Sequence, residues 1–163
     1  MKAKVYHVHG LPLPEGAECT IELVEHGVKI SCGDYLEDLP FERIATFDFD
    51  GCDIVEEDGL VGLISGFAGG LVGRLEGKKF LSWVAPKTAK YPEDVTVLIV
   101  NFLDSDVSVK RSVFVEAPDT NGQDSVIDMV FAYNDVKPNH GEEYLKKYGP
   151  TLNPQRDKSK TNN

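Results

Sequence analysis

The chain has 163 residues, 41% of them hydrophobic, and a formal net charge of -10; that fills one ordinary core and leaves little for a second. Residues 15–58 hold fourteen acids against Lys29 and Arg43, whereas residues 137–163 hold six basic residues against three acidic ones. An acidic body repels phosphate backbones and anionic headgroups, which are bound mainly through Lys and Arg, so it argues against a nucleic-acid partner and disfavours peripheral membrane contact.

Taken in chain order, the first third is β-rich. KVYHVH, ECTIELV, VKISC and YLEDLPFERIATFDF are separated by the turns His26-Gly27 and Gly33-Asp34. In ECTIELV, Cys19, Ile21 and Leu23 alternate with Glu18, Thr20 and Glu22, which predicts a strand with one wet face. Hairpin signals of this kind predict an antiparallel meander rather than βαβ units. MKAKVYHVHG has no apolar run of signal-peptide length, and Cys19, Cys32 and Cys52 form no CxxC pair; the expectation is three buried thiols in a cytoplasmic protein.

After Asp58 the composition changes. GLVGLISGFAGGLVG carries six glycines and no charge, with Gly62, Gly66 and Gly70 spaced by four. As a helix it would reach about 22 Å, short of the roughly 30 Å of a bilayer core, so no transmembrane span is expected. Leu60, Leu63, Ile64, Phe67 and Leu71 need cover, and an apolar patch of that size marks a contact surface. The covers open to it are the protein's own sheet, a second copy, a partner protein or a membrane surface.

KKFLSWVAP, VTVLIVNFL and VKRSVFVEAP follow as strands, and the apolar character of VTVLIVNFL on both faces predicts a central position in the sheet. Thr120 and Gln123 have the spacing of a capping box. Beyond them Val126, Ile127, Val130 and Phe131 fall on one predicted helical face, with Pro138 as the stop. Residues 140–163 are predicted to be a polar, partly disordered tail.

Three motifs invite chemistry. IATFDFDG follows the strand-then-DxD pattern of haloacid-dehalogenase-like phosphatases, in which Asp48 would attack phosphorus, Asp50 would act as acid and base, and magnesium would bridge them. That chemistry needs a parallel sheet with crossover helices, which the hairpin signals upstream do not supply; Phe47 and Phe49 inward with Asp48 and Asp50 outward is the simpler expectation. Asp48, Asp50 and Asp53 around Gly51 could offer oxygens to calcium, but the full loop is missing. His7 and His9 share a strand face, as two metal ligands would, with no third ligand identified.

HVHGLPLPEGAECTIELVEHGVKI, LPFERIATFDF, the glycine-rich insertion, FLSWV, VTVLIVNF and a closing helix together resemble the bacterial pleckstrin-homology-like proteins over roughly residues 4–138. The resemblance implies a mainly β (α+β) fold, an antiparallel barrel of about seven strands capped by a C-terminal helix. One domain over 1–139, an insertion at 59–77 and a role in association without catalysis complete that expectation. No catalytic residue, metal or cofactor is expected. The leading expectation is a protein-binding or self-associating module acting through Leu60, Gly62, Leu63, Ile64, Gly66, Phe67, Gly70 and Leu71. The alternative is an acidic decoy that blocks a basic partner, with the magnesium-dependent phosphatase third.

Overall fold

A computed structural model describes residues 1–57, 60–65, 71–76, 94–104, 108–118 and 124–136. Among these residues there are nine strands: β1 (Lys2–His9), β2 (Glu18–Val24), β3 (Gly27–Cys32), β4 (Tyr35–Pro40), β5 (Ile44–Glu57), β6 (Leu60–Ser65), β7 (Leu71–Glu76), β8 (Asp94–Leu103) and β9 (Val109–Glu116). One helix, α1 (Val126–Val136), closes the described chain. The strands form a single sheet in the order β4-β3-β2-β1-β9-β8-β5-β6-β7, and every neighbouring pair is antiparallel.

Two features differ from the expected seven-stranded barrel. YLEDLPFERIATFDF is two strands, because Phe41–Arg43 make a 3-10 turn between β4 and β5; the glycine-rich stretch supplies two more strands, β6 and β7. Hydrogen bonding does not close the sheet, since β4 and β7 each have one strand neighbour among the described residues. The expected strand KKFLSWVAP lies outside the described residues.

Alternation dictates which side chains are buried. Ala3 and Val5 of β1, Cys19 and Ile21 of β2, Val28 and Ile30 of β3 and Leu39 of β4 share one interior with Ile44 and Phe47 of β5, with Leu98, Val100 and Phe102 of β8, and with Phe114 of β9. Strands from both halves of the sheet thus meet around one core, so the sheet must bend. The opposite face of its centre is also dry: Val8, Cys52, Val95, Val97, Val113 and Val115 form a second cluster with Leu63 of β6. The register shift between His7 and His9 lets β1 serve both interiors, with His7 and Val8 buried in succession. At the far side β7 comes close to β1, so the β6–β7 extension curls back over the second cluster.

Helix α1 lids the first core with Val126, Met129, Val130 and Tyr133. Tyr133 sits between Phe41, at 5.7 Å, and Phe47, at 4.8 Å between ring centroids. The buried face is therefore turned from the expected one: Ile127 is half-buried and Phe131 is 59% exposed. Thr120 and Gln123, the expected cap, lie outside the described residues. Ser125 caps the helix, its Oγ accepting from the Asp128 N–H at 3.0 Å, and Glu116 Oε1 of β9 accepts from the Val126 N–H at 2.8 Å. Each satisfies an amide that a helix start leaves without a partner.

The cysteines correct the expectation of three free thiols. Cys19 and Cys32 are bonded, one step beyond the paired Thr20 and Ser31 on β2 and β3, and Cys52 is a buried thiol. The hairpin turn falls at Glu25-His26, one residue earlier than His26-Gly27, which brings the two cysteines opposite each other. Denatured without reductant, the chain should take up one equivalent of iodoacetamide per molecule, and after reduction it should take up three, read by intact mass. Three without reductant would mean that Cys19 and Cys32 are not joined.

Candidate functional site

His7 shows how the sequence motifs resolve. Its ring is buried, with Nδ1 3.1 Å from the Pro14 carbonyl oxygen and Nε2 3.2 Å from the Leu11 amide nitrogen. The tautomer that satisfies both has Nδ1–H donating to Pro14 and Nε2 accepting from Leu11. Its backbone joins in, as the His7 N–H donates to Ala17 O and His7 O accepts from the Gly16 N–H. One histidine thereby pins the GLPLPEG loop, and Phe114 packs edge-on against its ring. Both ring nitrogens are engaged, so the ring is not offered to a metal. His9 is exposed beyond the register shift.

The loop can lie this close because Gly10 has no side chain. Its φ is +102°, and a Cβ there would overlap the Arg111 carbonyl. Burial is the main reason the His7 ring prefers its neutral form, with a pKa below the ordinary range; the nearby His9 acts in the same sense and the Pro14 carbonyl opposes it.

Asp48 and Asp50 lie inside β5, paired with Ile99 and Val97 of β8. Asp48 is exposed and Asp50 half-exposed, while Phe47 of the same strand is buried. The strand runs on past both carboxylates to Glu57 in an antiparallel sheet. This is not the parallel strand end that the phosphatase arrangement requires. Among the described residues no group of three or more His, Cys, Asp or Glu is placed to hold a metal ion.

The residues expected to make contacts are divided by the hairpin. Leu60 opens β6 and is 42% exposed, whereas Leu63 is fully buried in the second core. Gly62 and Ile64 lie on β6 and Leu71 on β7; Gly66, Phe67 and Gly70 lie outside the described residues. Leu63 is thus covered by the protein itself, whereas Leu60 is exposed.

A second exposed region was not singled out in the sequence. Strand β4 is the other edge of the sheet among the described residues, and its outer face carries Leu36, 65% exposed, beside the exposed Asp38. On its inner face a polar chain ties it to the strands beyond the bend. Tyr35 OH donates to Glu37 Oε2 at 3.1 Å, and Arg43 Nη2 lies 3.4 Å from Glu37 Oε1. Arg43 Nε–H donates to Leu103 O at 2.8 Å, and Asp104 pairs with Lys110. Burial, then the charge of Glu37, pushes the Tyr35 phenol up to about 12. Phe131 adds a third exposed apolar side chain, edge-on to Phe49 at 6.0 Å.

The alternation of YLEDLP held the signal for Leu36, since Tyr35 and Leu39 share a phase and Leu36 is out of it. No protein-family model matches the chain, and no match is found among curated proteins or solved structures. The α1 helix also ends without crossing length: no helix among the described residues is long and apolar enough to span a membrane.

Because folding lowers the His7 pKa, the unfolded chain binds this proton more readily. The stability due to His7 is therefore complete above its unfolded value of about 6.5 and is lost as pH falls below that, at up to about 1.4 kcal/mol per pH unit. His7→Gln should cost about 1–3 kcal/mol at pH 7.5 in urea unfolding. The gap to the parent should narrow towards pH 5; a gap independent of pH would remove the titration of His7 from the account.

Proposed function

We propose that this chain is a non-enzymatic protein-binding module of the pleckstrin-homology-like kind, engaging a partner or a second copy through the end of its sheet formed by β6 and β7. The pleckstrin-homology-like part is supported by the strand order without that hairpin. A β1–β4 meander abuts β9-β8-β5, and a C-terminal helix lids their shared core.

One observation carries the binding reading. The sheet ends on both sides in a strand with a single hydrogen-bonded neighbour among the described residues; the exposed Leu36 stands on one of these, β4, and the exposed Leu60 on β6, the neighbour of the other, β7. Unpaired strand edges are templates for another chain. The acidic-decoy reading is the second, favoured by the exposed Glu25, Asp34, Asp38 and Glu42 around β4. The Cys19–Cys32 bond counts against the cytoplasmic setting expected from the sequence, because disulfides form and persist mainly in oxidising compartments.

Light scattering after size exclusion tests the β6–β7 contact. The full chain should be larger than a monomer or should retain a partner from host lysate, and Leu60→Asp should weaken either association about tenfold or more, the cost of placing a charge in an apolar contact. A monomeric chain whose captured partners are unchanged by Leu60→Asp would overturn it. Magnesium-dependent turnover of a phosphate ester, abolished by Asp48→Asn, would replace it with the enzyme.

A further inference from the structure

The edge strand β4 combines three properties. It is a six-residue strand, Tyr35–Pro40, or about 20 Å of extended backbone, hydrogen-bonded among the described residues to β3 alone. Its outer face presents Leu36 and Asp38, both exposed. It is flanked by exposed acids, Asp34 in the turn before it and Glu42 after it; the nearby Arg43 is held by Glu37 and Leu103, and Lys29 of β3 stands across from Asp38 in a row whose charge alternates from Lys2 through Glu22 and Lys29 to Asp38. The inward side of the strand is closely packed: Leu39 is buried in the core, and Gly27 lets β3 pack so close that a Cβ there would overlap the Leu39 carbonyl.

We infer that β4 is a docking edge for an extended, positively charged segment of another protein, which adds to the sheet as a further strand with an apolar residue beside Leu36 and a Lys or Arg beside Asp38. The inference rests on the reading of the chain as a binding module and names the partner's chemistry. Side chains two apart on a strand share a face, so Leu36 and Asp38 select an apolar-x-basic sequence if the added strand is parallel and a basic-x-apolar one if it is antiparallel. Opposite charges directly across a sheet attract and like charges repel. That same rule disfavours a second copy here, because two β4 edges paired about their centre would set Glu37 and Asp38 against the same residues of the other chain.

The test is nuclear magnetic resonance of the isotope-labelled full chain at low ionic strength. The probe is a blocked serine-lysine-threonine-valine-threonine-lysine-serine peptide, which presents a lysine beside Asp38 in either strand direction, and the control has glutamate in place of each lysine. The lysine peptide should shift the amides of residues 35–39, slow their hydrogen exchange and lose affinity as salt rises; the glutamate peptide should do none of these. Asp38→Lys, at an exposed position that leaves the core intact, should weaken the lysine peptide about tenfold and admit the glutamate one.

Shifts confined to other strands, equal binding of both peptides, or indifference to Asp38→Lys would each overturn the inference. So would β4 amides already protected along their outer edge in the peptide-free chain. These results leave the β6–β7 contact standing, since that contact is read separately through Leu60→Asp; its failure in turn leaves the β4 titration interpretable.

Discussion

In β8, Leu98, Val100 and Phe102 face one interior while Val95 and Val97 face another, and β9 does the same with Phe114 on one side and Val113 and Val115 on the other. A strand dry on both faces has to have neighbours on both edges and layers above and below it, because each fully buried aliphatic or aromatic side chain is worth about 1.5–3 kcal/mol only while water is kept out. The rest of the architecture answers that requirement. One layer is α1 with the bent β1–β4 meander; the other includes Leu63 and the β6–β7 extension curling towards β1. The apolar hairpin therefore has a structural duty before any binding one.

Polar contacts fix the bend more than they add stability. The ion pairs on the outer face of β1 and β2, Lys2–Glu22 and Lys4–Glu18, are largely exposed, and such pairs contribute about 0–1 kcal/mol each. Glu37, Arg43 and the Leu103 carbonyl instead connect β4 to the end of β8 across the bend. They hold the edge strand in place without covering its outer side. His7 does comparable work at the opposite end, where a short loop is tied to β1 through both ring nitrogens.

Much of this was legible in the residues. VTVLIVNFL has no wet face and is central in the sheet, ECTIELV alternates and buries Cys19 and Ile21, and the hairpin turns enforce antiparallel pairing. The glycine-rich stretch was not legible as a hairpin, since GLVGLISG is apolar at nearly every position and offers no contrast for a period of two. Helix α1 failed as a face for a related reason. Val126 and Val130 have apolar neighbours on either flank, Ile127 and Phe131 on one and Met129 and Tyr133 on the other, so only the packing against Phe41 and Phe47 decides. The cysteine pair hid behind a turn placed one residue late, and Leu36 behind an alternation that was read only for its inward members.

Native-state hydrogen exchange of the full chain tests the two-faced centre most directly, since amides that open only with global unfolding report the whole-chain free energy. Residues 97–102 of β8 and 113–115 of β9 should be the slowest to exchange, sharing one free energy equal to that from urea unfolding, with β4 and β6 faster. Amides of β8 exchanging as readily as those of β6 would mean that its second face is open to water, contrary to the layered core described above.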